Sequence, residues 1–464
     1  MTVLEAAEKW LPAGHVLASA LRAEDDMSRA RLMAMVAFAI RILSAAIAFV
    51  SQIVLARLMG EFEYGIFVFV WVLVVLAGNF SCLGFPTALI RFLPQYDLDK
   101  AEAEIRGLTV TARVFAMLSA SAFVAIGLLG LQLFGDRVES YYLVPLFLAL
   151  FALPMIALGD VLDGTARANR WAVVAMSPTY LIRPTLILAF MLAAIGFGAP
   201  ATATTAMQAA LGATYVTTLG QFFTIDRRLV RRYEKGERKL DFLAWIKVAF
   251  PIFLIEGFGF LLTNSDVIVV GLYLPPDQVA VYFAAAKTMA LVQFVFFAVK
   301  AGATPRFSAL MAADDREGLA GFAGTAARWT FWPSLAVGAL VLLMGEFLLG
   351  MFGPAFTAGY SLMAILFLGN IAKALVGPAE MLLTMAGRQK LCVVVYFLAF
   401  ASNIGLNVTL IPHLGLTGAA TATATAMALE ALLLHFAVRR ALGVVVFAFA
   451  DPLALMRRME AKTV

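Results

Sequence analysis

Twelve apolar runs, each longer than twenty residues, fill most of this sequence: 32–56, 64–90, 108–134, 141–162, 171–196, 204–225, 242–270, 279–301, 324–350, 360–385, 391–411 and 415–438. About 20 mostly apolar residues are enough for a helix to cross the hydrocarbon of a bilayer. The runs are continuous rather than alternating, and too long for barrel strands. The expected fold is therefore all-α and membrane-embedded, with twelve transmembrane helices. The chain is 62% hydrophobic and 14% charged, with a mean hydropathy of +0.90. A soluble domain is about 45–50% apolar and about 25% charged.

Lysine and arginine fix the expected orientation, because cytoplasmic connections carry an excess of them. With residues 1–31 inside, the inside segments hold 26 Lys and Arg, against two outside, Arg57 and Arg137. Both termini are thus expected in the cytoplasm, residues 1–31 as a cytoplasmic N-terminal segment and 441–464 as a cytoplasmic tail. Residues 1–31 are no cleavable signal peptide: Glu5, Glu8, Glu24, Asp25 and Asp26 precede the first run, which exceeds a signal h-region. Pro12 and Gly14 would interrupt any interfacial helix there.

The chain also repeats itself. A shift of 215 lays TALIRFLPQY (87–96) over GATPRFSALM (302–311), so that Arg91 meets Arg306 and Phe92 meets Phe307; Arg113 meets Arg328 in the same register. A shift of 218 then aligns Phe134-Gly135 with Phe352-Gly353, Tyr142 with Tyr360, Gly159 with Gly377 and Arg170 with Arg388. Six helices per copy is an even number, so both copies enter from the same side. The two are expected to be lobes related by a pseudo-twofold along the membrane normal: an N-lobe (32–225) and a C-lobe (242–440). The basic segment DRRLVRRYEKGERKLD (226–241) links them, as a solvated connection or as a binder of anionic lipid headgroups. Two lobes around a cleft form a plan for alternating access.

Charges at bilayer depth are costly and rare without a role. The deep cations are Arg41, Arg183, Lys287 and Lys373, which read either as structural ion pairs or as a cationic cavity for an anionic substrate such as a phosphate or pyrophosphate. Arg183 is the clearest, lying in mid-run with Pro184 directly after it. Lys247 and Lys300 read as residues snorkelling to the cytoplasmic edge. Among the acids, Glu256 is the candidate for a coupling ion. Asn403 and Asn407, four apart on one helical face, could join it as oxygen ligands for Na⁺, or could serve helix packing. Arg91 and Arg306, at matching cytoplasmic ends of the second and eighth helices, read as a gate or as a pair of anchors. The basic residues lie between apolar runs rather than along one face, so nucleic acid is not expected as a partner.

No sequence motif for nucleotide, zinc or serine-hydrolase chemistry is present. His15, His413 and His435 are isolated, and Cys82 and Cys392 form neither a disulfide framework nor a redox pair. The chain reads as a transporter without cofactor rather than an enzyme, using a Na⁺ or H⁺ gradient.

The stretch LARLMGEFEYGIFVFVWVLVVLAGNFSCLGFPTALIRFLPQY (55–96) resembles the opening of the polysaccharide transporters in the multidrug/oligosaccharidyl-lipid/polysaccharide (MOP) exporter superfamily. The matching elements are Ala56-Arg57 with Gly60, Tyr64-Gly65, Gly84 with Ala88, and Arg91 with Pro94. The resemblance implies a MATE-like fold and a flippase for undecaprenyl-pyrophosphate-linked oligosaccharides in the bacterial inner membrane. It would serve surface polysaccharide synthesis (O-antigen, exopolysaccharide or capsule), with membrane lipids, a polysaccharide polymerase and chain-length proteins as further partners. Many relatives, lipid II flippases included, have fourteen helices where this chain has room for twelve, so lipid II is the less favoured cargo. A cation-coupled multidrug antiporter of the same superfamily is the alternative; it would use Glu256, Asp266 and Glu380, and the count of buried base over acid argues against it.

Overall fold

The computed structural model describes residues 26–234 and 236–450, with side chains from Ile42 onward apart from that of Ile255. Residues 1–25 of the expected N-terminal segment and 451–464 of the expected tail lie outside this range. Every expected run is helical. The first lobe consists of α1 (26–59), α2 (61–98, interrupted at 82–84), α3 (Glu102–Phe134), α4 (Ser140–Ala168), α5 (Ala172–Gly196) and α6 (Ala203–Arg232). The second consists of α7 (Phe242–Tyr273), α8 (Pro276–Ala312), α9 (Arg316–Leu343), α10 (360–385, broken at Gly377), α11 (389–414) and α12 (416–442).

Among the described residues, nine helical stretches are long and apolar enough to cross a membrane. Two of these hold two spans each. Gly60 (φ 75°, ψ 173°) turns the chain between α1 and α2, and the Tyr64 hydroxyl therefore reaches back to Gln52 at 2.8 Å. Gly415 (φ 57°, ψ −135°) does the same between α11 and α12. The twelfth span, α6, falls short on apolarity because its buried face is built of Ala, Thr and Gln: Ala206, Ala210, Ala213, Thr214, Thr217 and Gln221. Such small residues let helix backbones approach closely within lipid.

The repeat is visible in the architecture. Arg170 and Arg388 both lie in the short turn between the fourth and fifth helices of their lobe, and Arg113 and Arg328 both lie on the third. Each lobe's second helix also ties back to its first, Tyr64 to Gln52 and Tyr282 to Asp266, the latter at 2.7 Å.

The lobes meet along α2, α7 and α8. At the face predicted to lie outside, Gly65 at the start of α2 sits so close to Pro276 at the start of α8 that a Cβ would fall 1.7 Å from the Pro276 carbonyl oxygen. Arg57 closes the same face, its Nε donating to the Met351 carbonyl (2.7 Å) and its Nη2 to that of Gly350 (2.6 Å). On the opposite face, α7 lies along α2. Phe242 stacks among Phe85 and Phe115, and the Trp245 indole donates to the Tyr96 hydroxyl at 3.0 Å.

The basic linker is less free than its composition suggests. Its first part continues α6 as helix to Arg232, since nothing before Gly236 breaks it. The remainder is tied to the N-lobe: Arg232 and Tyr233 to Asp97, Arg106 to the carbonyls of Glu234 and Glu237, and Lys239 to Glu104. The bond to Glu104 holds the Lys239 ammonium above its usual pKa. Nor do residues 443–450 depart as a tail. Val444, Val446 and Ala448 are buried in the C-lobe.

Candidate functional site

Proline chemistry shapes the N-lobe half of the site. Pro178 has no N–H, which leaves the Val174 carbonyl without its helical donor. Gln221 on α6 supplies one, its Nε2 donating to Val174 O at 3.1 Å. Over Pro178–Ile182 the helix widens into a π-turn, in which the Arg183 N–H reaches back to Pro178 O. A π-turn of this kind frequently marks a functional position. Arg183, only 6% exposed, follows directly. Its Nη2 donates to Thr179 Oγ1 at 3.1 Å, and its Nε is buried with no partner among the described residues. Asp160 on α4 is near enough to attract the guanidinium electrostatically.

The C-lobe half is a cavity of about 310 Å³. Its wall carries Asp266 from α7, Lys287 and Lys300 from α8, Lys373 and Glu380 from α10, and Glu430 from α12. The ammonium of Lys373 lies 2.7 Å from the Glu430 carboxylate, and Lys300 pairs with Glu380. Lys287 leans over the Phe283 ring at 5.0 Å and faces Asp266 electrostatically. A break in α10 makes room for two of these groups. Gly377 adopts φ 58°, a region that suits glycine, and its backbone packs so tightly on α9 that a Cβ would come within 2.6 Å of Ala327 Cα. Lys373 lies one turn before the break and Glu380 just after it.

Beside the lysines is an oxygen-rich cluster. Asp266 accepts from the Tyr282 hydroxyl (2.7 Å) and from the Val267 N–H (2.8 Å). Tyr282 in turn meets Thr423 of α12 at 3.1 Å, and Thr423 accepts from the Asn403 amide at 3.4 Å. The Asn407 amide donates to Asn403 Oδ1 at 3.0 Å, while Asn407 Oδ1 itself is buried without a partner among the described residues. A carboxylate, amide oxygens and a hydroxyl from three helices suit a hard monovalent cation or a proton.

The residues singled out from sequence thus separate. Lys287 and Lys373 share the C-lobe cavity, Arg183 lies in the N-lobe within the electrostatic reach of Asp160, and the side chain of Arg41 is outside the described residues. Asn403 and Asn407 do share a face, but the acid beside them is Asp266 rather than Glu256. Ten residues along a helix amount to about 15 Å and a different face, and Glu256 instead accepts from Thr87 of α2 at 2.9 Å. Lys300 does not snorkel: α8 continues to Ala312, which leaves the lysine inside the cavity with Glu380. The count of deep charges leaned positive, whereas the cavity wall holds three lysines and three acids. Arg91 and Arg306 are exposed near the ends of α2 and α8, Arg91 beside the Phe92 ring (5.9 Å) and Arg306 over Phe322 (4.9 Å).

Comparison with solved structures identifies this architecture. A multidrug resistance MATE family transporter of the MOP superfamily, solved in an inward-facing conformation, superposes with a TM-score of 0.67 at 16% identity, over 86% of this chain and 94% of that one. The lipid II flippase MurJ, in an inward closed conformation, gives 0.69 at 15% identity over 87% of each chain. A MOP superfamily transporter from Pyrococcus furiosus, described as having a binding pocket of reversed polarity, gives 0.61 at 14% identity over 96% and 98%. The fold is that of a multi-pass membrane protein with the architecture of these MOP superfamily transporters. A sequence profile described as polysaccharide biosynthesis protein matches residues 34–311, and the chain belongs to that family. The MatE profile matches residues 251–409. No curated protein matches the chain.

Proposed function

We propose that this protein is a flippase that moves undecaprenyl-pyrophosphate-linked oligosaccharide repeat units across the bacterial inner membrane for surface polysaccharide synthesis. The match of the polysaccharide biosynthesis profile over residues 34–311 carries the reading. Arg183, Lys287 and Lys373, together with Arg41, receive the pyrophosphate or acidic sugars. An anion entering the C-lobe cavity meets Lys287 first, since its ammonium is exposed to the cavity while Lys300 and Lys373 are held by acids. Asp266, Asn403, Asn407 and Thr423 bind the coupling ion. Occupation of Asp266 by Na⁺ or H⁺ weakens its attraction for Lys287 and frees that ammonium for the substrate. The lobes then rock about the α2–α7–α8 contact, with Arg57 releasing Gly350 and Met351 as the outer face opens.

The second reading, a cation-coupled multidrug antiporter, is favoured by the MatE match over residues 251–409 and by the acids Asp266, Glu380 and Glu430 in the cavity. Deletion of the gene separates the two. Loss of surface polysaccharide with unchanged drug tolerance supports the flippase; intact polysaccharide with new drug sensitivity would overturn it.

A further inference from the structure

After α12 the chain turns back. At Gly443 (φ 69°) the helix ends, and residues 444–447, without regular secondary structure, lie back against the helix they have just left. His435 lies seven residues before the end of α12, about 10 Å along its axis, and its Nδ1–H donates to the Val446 carbonyl at 2.9 Å. Ala448 travels further and donates its N–H to the Leu375 carbonyl of α10 at 2.9 Å. Phe449 packs edge-on against Phe331 of α9, with ring centroids 5.0 Å apart. Val444, Val446 and Ala448 are at most 3% exposed. Buried non-helical backbone is tolerated where protein satisfies its polar groups.

The carbonyl that Ala448 satisfies is a particular one. The break at Gly377-Pro378 leaves the last carbonyls of 360–376 without helical donors. Gly377 N–H takes that of Ala374 at 3.1 Å, and Leu375 is served from the returning segment. Lys373 and Glu380 flank this break, and Glu430 precedes His435 by five residues on the other helix the segment grips. We propose that residues 443–450 are a positioning strap, in which Ala448 and His435 hold α10 and α12 so that the Lys373–Glu430 and Lys300–Glu380 pairs stand in register across the cavity. The role of those pairs rests on the function proposed above; the position of the strap does not.

Cys392 offers a readout that needs no substrate. It is free, 1% exposed, and its thiol rests on the Glu380 carbonyl just past the break. In a Cys82→Ser background it is the remaining cysteine of the chain. Its alkylation by N-ethylmaleimide in membranes therefore reports whether 379–385 stays packed. Ala448→Pro removes the N–H and should raise the alkylation rate about tenfold, the population change expected for a buried carbonyl left unsatisfied. Ala448→Gly keeps the N–H and should stay within about twofold of wild type. Surface polysaccharide should fall in the first variant and persist in the second. Should Ala448→Pro fail to reach the membrane, His435→Leu against His435→Gln makes the same comparison, because glutamine retains a donor for Val446. An unchanged rate in the donor-less variants, or an equal rise in their donor-keeping controls, overturns the proposal. Either labelling result stands even if the transported substrate is not a lipid-linked sugar.

Discussion

Lys373 on α10 and Glu430 on α12 lie 2.7 Å apart, the carboxylate 1% exposed and the lysine one-third open to the cavity. Stripping one partner from a buried pair leaves an uncompensated charge. Lys373→Met should therefore cost on the order of 3 kcal/mol, at the lower end of that class because the lysine end is wet. Thermal melting of the purified protein measures this. Glu430→Gln in the Lys373→Met background should recover most of the loss, since it removes the stranded charge as well. A single variant as stable as the wild type would show that the pair contributes nothing.

Gln221 on α6 answers a carbonyl that Pro178 on α5 leaves free. Gln221→Leu should destabilise by about 1–3 kcal/mol, the cost of an unsatisfied buried acceptor. Adding Pro178→Ala restores the helical donor for Val174 and should rescue much of that loss. If the double variant melts no higher than Gln221→Leu, the carbonyl is not the reason for the glutamine.

Arg183→Ala should abolish polysaccharide export while the protein still inserts at wild-type levels, and Arg183→Lys should restore little of it, because lysine has no bidentate fork. Immunoblots of membranes together with surface polysaccharide staining give both readings. Full export by Arg183→Ala would remove this residue from the site.

The oxygen cluster predicts ion dependence. If Na⁺ is the coupling ion, adding NaCl in place of KCl should raise the melting temperature of the wild type, because a ligand that binds only the folded state stabilises it. Asp266→Asn should cancel that rise, whereas Glu256→Gln should leave it intact. The opposite pattern would return the coupling site to Glu256. Should H⁺ be the coupling ion, the NaCl response is absent from the wild type and a pH gradient replaces it in transport assays.

Arg57 holds two carbonyls of the partner lobe. Because it is exposed, its loss should shift the conformational balance only modestly, about three- to tenfold. In a chain lacking both native cysteines, a cysteine at Ala286 should then react faster with an impermeant maleimide applied from outside when Arg57→Ala is present. An unchanged rate would mean that the Gly65–Pro276 contact closes the face without it.

Length and continuity of the apolar runs made the twelve spans legible, and positions such as Arg170 and Arg388 made the repeat legible. The interior was harder to read. A helix such as α7, apolar on all sides, gives no phase, so nothing in the residues told Asp266 from Glu256 as the neighbour of Asn403. Lys300 was misplaced because the edge of an apolar run is not the end of its helix: α8 continues through Thr304, Pro305 and Arg306 to Ala312. The count of deep charge came out too positive because the pairing of Glu380 with Lys300 and of Glu430 with Lys373 is set by tertiary packing. The strap at 443–450 is too short to span a membrane and has no periodicity that would announce it. The partners of its two hydrogen-bonded residues are set by tertiary packing alone.

The most direct test of the flippase reading is the leaflet in which lipid-linked oligosaccharide resides when the protein is depleted. Spheroplasts can be probed with an impermeant glycosidase or lectin before and after lysis. The account predicts accumulation of lipid-linked repeat units that are protected until lysis, and so confined to the cytoplasmic leaflet. Repeat units accessible from outside in depleted cells, or no accumulation at all, would contradict it.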